Sequence, residues 1–229
     1  MNGPPRRRAL RAGLALLAVT GAAAFYGWYR GWYHDWFGGW VDGVAAGVPQ
    51  LPAGQSLEVA QLEALPHLPA FTLASASGPY TRDDLRGRWS FVFFGYTNCP
   101  NACPATLGIL NHVQESLRAQ GLDPPRIVFV SLDPERDTPP VLQRYAGAFG
   151  PDTVGVTGST AALQGLLAFF GVTFERRPGP TERDYTLDHT TDFFLVRPDG
   201  RWLATFAPAD DGDAVLADTA TLMRLPQGG

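Results

Sequence analysis

The sequence predicts an α/β domain, with a central mixed sheet flanked by helices, carried behind an N-terminal membrane-spanning helix. Three observations lead there. Two apolar runs, Trp89–Tyr96 (WSFVFFGY) and Arg126–Leu132 (RIVFVSL), have the composition of strands buried on both faces. The segment between them, Ala102 to Gln120, places Leu107, Leu110, Val113 and Leu117 at helical spacing and stops at Gly121. Near the N-terminus, an uncharged run from Ala12 to Tyr29 follows four arginines.

That run has 18 residues, a helix of roughly 27 Å at about 1.5 Å per residue, close to the hydrocarbon thickness of a bilayer. Residues 1–30 carry five arginines and no acid, whereas residues 31–229 carry 13 arginines and 22 acids. The overall charge of −4 therefore conceals a basic leader and an acidic remainder. This asymmetry makes residues 1–11 a cytoplasmic basic segment and 12–29 a transmembrane anchor. Ala22-Ala23-Ala24 leaves a cleaved signal peptide as the alternative. Phe25, Tyr26, Trp28, Tyr29, Trp32, Tyr33, Trp36, Phe37 and Trp40 form an aromatic belt suited to the outer headgroup region. The belt opens residues 30–67, a belt and linker rich in Gly, Pro and Ala from Gly38 onward. The folded domain takes residues 68–229. Either reading of the leader exports it, and the expectation is a single-pass protein of a bacterial inner membrane with its C-terminal domain in the periplasm.

Within the domain, Phe71–Leu73 reads as a short strand and Gly78-Pro79 as a turn. After the strand–helix–strand of the opening observations, Thr138 caps a helix with Pro139 at its first position and Gly150 at its end. Ser159 or Thr160 caps another, which ends before Gly171. Phe193–Val196 and Trp202–Phe206 are strands joined by Pro198-Asp199-Gly200, a hairpin signal. Asp210–Leu225 closes the chain as a helix. The two helix-linked strands are parallel and the last two antiparallel. This is a thioredoxin-like arrangement, whose chemistry sits where the first buried strand meets the next helix.

Composition narrows that chemistry. All 18 basic residues are arginine, so a lysine Schiff base and a P-loop are excluded. Two cysteines cannot build a disulfide scaffold, a Cys₄ zinc site or a cysteine-ligated iron–sulfur cluster. The acidic balance gives no support to nucleic acid as a partner.

Both cysteines fall at the predicted strand–helix junction, in Gly95-Tyr96-Thr97-Asn98-Cys99-Pro100-Asn101-Ala102-Cys103-Pro104. Spacing of four puts Cys99 and Cys103 on one helical face. A helix N-terminus stabilises thiolates, so their pKa is expected to fall. Such a pair cycles between dithiol and disulfide or chelates a soft metal. A permanent disulfide this local would close almost no loop and stabilise little. The spacing C-x-x-x-C departs from the C-x-x-C of thioredoxin-type oxidoreductases. Tyr96 and Val92 replace the Thr and Pro that peroxidase-type relatives place before a reactive cysteine.

Opposite this turn, the fold places the loop Asp184–Asp192, directly before Phe193–Val196. His189 in that loop is then a third ligand. Two thiolates and an imidazole favour copper and can hold Cu(I) in trigonal geometry, whereas zinc would want a fourth ligand. Of the other histidines, His34 sits in the belt, His67 in the linker, and His112 too far along the helix.

Three blocks in order resemble the Sco/SenC copper-chaperone family: Phe94 through Pro104, Ser131-Leu132-Asp133-Pro134-Glu135-Arg136-Asp137-Thr138-Pro139, and Asp184-Tyr185 through Asp188-His189. The resemblance implies a membrane-tethered thioredoxin fold that binds one copper, as Cu(I) or Cu(II), through Cys99, Cys103 and His189. It implies assembly of the CuA centre in subunit II of cytochrome c oxidase, by donating copper or by reducing the CuA cysteines, and contact with periplasmic copper chaperones or thiol reductants. The alternatives are a thiol–disulfide oxidoreductase working through Cys99 and Cys103, and a copper or redox sensor. The family usually has Asp where this chain has Asn101. The middle block is expected to shape a loop near the site, with no ligand of its own.

Overall fold

Strands β3 (Ser90–Gly95) and β4 (Arg126–Ser131) take the centre of the sheet because their side chains leave no face for water. Phe91, Phe93, Phe94 and Phe129 are all fully buried. In the computed structural model, which describes residues 64–181, 184–207 and 211–225, these two strands pair in parallel with Phe93 opposite Phe129. The remaining elements are β1 (Thr72–Ser75), β2 (Gly78–Thr81), a short 3-10 helix (Arg82–Leu85), α1 (Ala102–Ala119), α2 (Pro139–Gly147), β5 (Thr153–Val156) and α3 (Thr160–Phe170). They are followed by β6 (Phe174–Arg177), β7 (Thr186–His189), β8 (Phe193–Val196), β9 (Trp202–Phe206) and α4 (Gly212–Leu222).

The main sheet has the order β5-β4-β3-β8-β9. β3, β4 and β5 run parallel, and β8 and β9 are antiparallel to their neighbours. This is the mixed sheet expected from the helix-linked strands and the terminal hairpin. The hairpin turn follows the expected chemistry, with Gly200 at φ 84°, a conformation a Cβ would strain.

Alternation along the strands divides the core. Val92, Val128, Val130 and Val156 face Leu73 and Leu166 of α3. Phe94 and Phe194 lie on this side against Phe170 of α3, whose ring stacks on Phe194 at 4.4 Å between centroids. The other face carries Phe91, Phe93, Phe129 and Phe193, with Tyr145 of α2 against Phe129. Helices α1 and α4 pack on each other. The caps follow the sequence: Ser159 accepts a hydrogen bond from the Ala162 N–H, and Pro139 opens α2 after Thr138.

Three parts of the fold differ from expectation. Gly78-Pro79, expected as a turn, opens β2, which pairs antiparallel with β1. β5 has only four residues, two of them Thr and Gly, too little apolar pattern to declare a strand. Gly155 lets it approach α2, because a Cβ there would come within 2.7 Å of the Leu142 Cβ. The stretch before Phe193 is strand as well as loop: Thr186–His189 pairs with Phe174–Arg177 in a separate two-stranded sheet. Its sequence is polar because both strands lie largely at the surface, so no buried run marks it.

Leu65 and Leu68 are buried, and His67 bridges to Arg201, so the packed unit takes in residues before 68. The expected anchor at 12–29 and the aromatic belt lie outside the described residues. Among the described residues, no helix is long and apolar enough to cross a membrane.

Phe194 is 1% exposed and touches Phe94, Phe170 and Trp202. Phe194→Ala is expected to cost about 3–5 kcal/mol. Urea unfolding should show a lowered midpoint with an unchanged slope.

Candidate metal centre

The turn that ends β3 delivers both sulfurs. Cys99 lies before α1, its N–H donating to the Tyr96 carbonyl at 3.2 Å. Cys103 is the second residue of α1, and its N–H points at the Cys99 Sγ at 3.4 Å. The helix thus offers one of its unpaired N–H groups to the Cys99 sulfur. Both cysteines are free thiols.

Their environments differ. Cys99 is half-buried, whereas Cys103 is fully buried behind Gly95. A Cβ at Gly95 would lie 2.7 Å from the Cys103 Sγ and 2.9 Å from the Phe129 ring, so only glycine leaves room for this sulfur. Burial pushes the Cys103 thiol well above the ordinary thiol range, with the neighbouring Cys99 and Asp137 adding to the effect. The expectation of a lowered pKa for both cysteines is therefore corrected for Cys103. At this position, desolvation outweighs the helix N-terminus.

His189, at the end of β7, brings its Nε2 to 3.7 Å from the Cys103 Sγ. Its Nδ1 lies 2.7 Å from the Thr190 carbonyl oxygen, which can only accept, so Nδ1 carries the proton. The Nε2 lone pair is thereby left toward the sulfurs, as metal-ligating histidines require. Tyr96 packs edge-on against the imidazole. Burial lowers the His189 pKa, although the Thr190 carbonyl and Asp188 pull it up, so the neutral ring is favoured.

The three donor atoms all lie within 4.8 Å of one another, and among the described residues this is the one cluster of three or more potential metal ligands. A trigonal first-row ion with donors at about 2.0–2.3 Å holds those donors about 4 Å apart. The donor set therefore fits a soft ion with small adjustments. His112 instead pairs with Asp213, and His67 bridges to Arg201, both away from the cluster. His34 lies outside the described residues.

The middle block sits directly behind the site. Asp137, fully buried, accepts the Thr97 N–H at 2.9 Å, the Ser131 hydroxyl at 2.6 Å and the Thr97 hydroxyl. Asp133 accepts from the Tyr185 hydroxyl and from Arg136 Nε, and the Arg136 guanidinium lies 3.5 Å over the Tyr185 ring. Burial and the bond to Asp133 push the Tyr185 phenol up to about 12, so it stays a donor. Thr97, Tyr185 and Gly95 stand in the quoted motif blocks, but nothing in the sequence assigned any of them a role. The pair of acids four apart at the end of an apolar strand was the available signal, because a buried acid needs partners.

Residues 59–224 match the family model described as SCO1/SenC. A mitochondrial SCO2 homologue from Homo sapiens is 38% identical over 118 residues, 51% of this chain and 44% of that protein. Copper-bound ScoI of Arabidopsis thaliana aligns with a TM-score of 0.64 at 27% identity, over 69% of this chain and 99% of that one. The solution structure of apo Sco1 from Thermus thermophilus aligns at 0.61 with 35% identity, over 69% of this chain and 92% of that one. This chain spans about half the length of the curated mitochondrial relatives it matches.

The unequal thiols are testable in reduced, metal-free protein. Iodoacetamide followed by peptide mass spectrometry should label Cys99 first. Cys103 labelling should rise only at pH values above the ordinary thiol range, because burial delays its thiolate.

Proposed function

Because the chain belongs to the SCO1/SenC family, we propose that it binds one copper through Cys99, Cys103 and His189 and serves as a copper chaperone in cytochrome c oxidase assembly. The observation that carries the ligand assignment is the convergence of two sulfurs and an Nε2 lone pair within 4.8 Å, from segments more than 80 residues apart. Copper in a relative of the same fold supports the choice of metal, as does the softness of the donor set.

The chain's own groups define what such a site does. Cys103 is held inside the fold, while Cys99 and His189 are half-exposed, so an incoming partner donor can reach the metal from their side. Ligand exchange with partner sulfurs then moves copper without exposing a free ion. We assign the CuA centre of oxidase subunit II as the acceptor, and periplasmic copper chaperones or thiol reductants as further partners. The anchor at 12–29 tethers the domain on the periplasmic face of a bacterial inner membrane. These assignments rest on the family resemblance and on the charge pattern of the leader.

A second reading is favoured by the Cys103 N–H at the Cys99 Sγ. Without copper, the Cys99 thiolate attacks a partner disulfide and forms a mixed disulfide. Cys103, losing its proton, then displaces the partner's second thiolate. Cys99 and Cys103 end as a disulfide and the partner gains two thiols.

Competitive titration of reduced protein with a Cu(I) chelator should give one tight copper per chain. His189→Ala should lower the affinity by more than about 100-fold, since losing even an outer-shell partner of a ligand costs 10- to 100-fold. Unchanged copper affinity in His189→Ala, together with altered thiol exchange, would favour the oxidoreductase reading.

In cells lacking the gene, oxidase should accumulate without its CuA absorbance, and added copper should restore it in part. Normal oxidase would instead favour a copper or redox sensor.

A further inference from the structure

Two tethers leave one short segment, and each ends on a different half of the metal cluster. The segment begins at Leu132, whose N–H is bonded to the Gly95 carbonyl at the end of β3. It closes on itself through the Asp137 N–H, which donates to the Asp133 carbonyl at 2.8 Å. From Asp137, two bonds reach Thr97, two residues before Cys99. From Asp133, one bond reaches the Tyr185 hydroxyl, and Arg136 adds a bond from its NH1 to the Tyr185 carbonyl at 3.0 Å. Tyr185 directly precedes β7, which ends at His189.

Both carboxylates are almost wholly buried, Asp133 at 3% and Asp137 at 0% exposure. Burying a carboxylate is costly unless its oxygens are fully engaged. Asp137 is engaged by three donors, two of them on Thr97, so its burial is compatible with only one placement of the cysteine turn. Asp133 is engaged by Arg136 and by Tyr185, so its burial is compatible with only one placement of the strand that carries His189.

We propose that Asp133–Asp137 is a positioning element that sets the gap between the dithiol and the imidazole, with Asp137 governing the cysteine half and Asp133 the histidine half. For metal binding it rests on the copper reading above; for the thiols it does not. Neither carboxylate is a ligand. Each acts through a hydroxyl-bearing residue next to one half of the site, so the two halves respond separately.

The test uses the full chain with Thr97→Val, Thr97→Ser and Tyr185→Phe, each assayed for Cu(I) affinity and for the alkylation rate of metal-free Cys99. Tyr185→Phe removes only the hydroxyl and keeps the ring under Arg136. It should weaken copper binding by about 10- to 100-fold, as outer-shell changes do, and leave Cys99 alkylation unchanged. Thr97→Val should weaken copper binding and also speed Cys99 alkylation several-fold, because the turn loosens. Thr97→Ser, which restores the hydroxyl, should recover both. Thermal unfolding of each variant accompanies the assays.

The proposal is overturned if Tyr185→Phe and Thr97→Val change both readouts alike, if copper affinity is unchanged in both, or if Thr97→Ser fails to rescue. Should wild-type protein bind no copper, the copper reading fails instead. Cys99 alkylation in the Thr97 pair then decides the cysteine half: rescue by Ser supports it and equal rates in Val and Ser overturn it.

Discussion

The carboxylate of Asp137 sits where water cannot reach it, and the site is built on the partners it demands. An acid that loses its hydration must regain it from donors of the chain. Here those donors are Ser131, at the end of β4, and Thr97, in the turn after β3. One carboxyl group therefore joins the two central strands at the end where the thiols emerge. An apolar residue of similar volume would fill the space but would accept no hydrogen bond from Thr97.

The same end of the sheet receives His189 for a topological reason. β8 runs antiparallel to β3 with Phe93 opposite Phe193, so residues after 93 and residues before 193 emerge together. The dithiol turn and the histidine strand, remote in sequence, are thus brought to one edge by strand pairing alone. Pairing sets position only to the level of a strand spacing, about 4.8 Å. The finer setting comes from side chains: Gly95 makes room for the Cys103 sulfur, and the Thr190 carbonyl turns the imidazole.

The large features of this arrangement were legible in the sequence because they rest on burial and local stereochemistry. The runs at Trp89–Tyr96 and Arg126–Leu132 read as strands buried on both faces, and Pro139, Gly121 and Gly200 marked boundaries that the structure keeps. The three donor residues could be named from the fold and the order of the blocks. What escaped the sequence depends on contacts between distant residues. β6 and β7 are polar, short and stabilised by pairing with each other, so no periodicity betrays them. The shift at Cys103 depends on how deeply α1 sinks its first turn, which the ring of Phe129 and the absence of a side chain at Gly95 allow. Helix-terminus electrostatics could be read from the sequence, but the depth of burial that overrides it could not.

That depth bears on how a metal would be held and released. A thiol with a raised pKa keeps its proton until a metal displaces it, so if Cys103 is a ligand, copper uptake there would be coupled to proton release. The proton returns when the metal leaves, and the buried sulfur is then neutral again rather than a stranded anion. Desolvation of Cys103 thus stabilises the metal-free state relative to a fully ionised pair and moderates the affinity. Cys99 and His189, nearer the surface, supply the accessible side of the site. A centre with one deep and two shallow donors would combine firm orientation with an open route for exchange, the combination that the proposed carrier role requires and a permanent metal site does not.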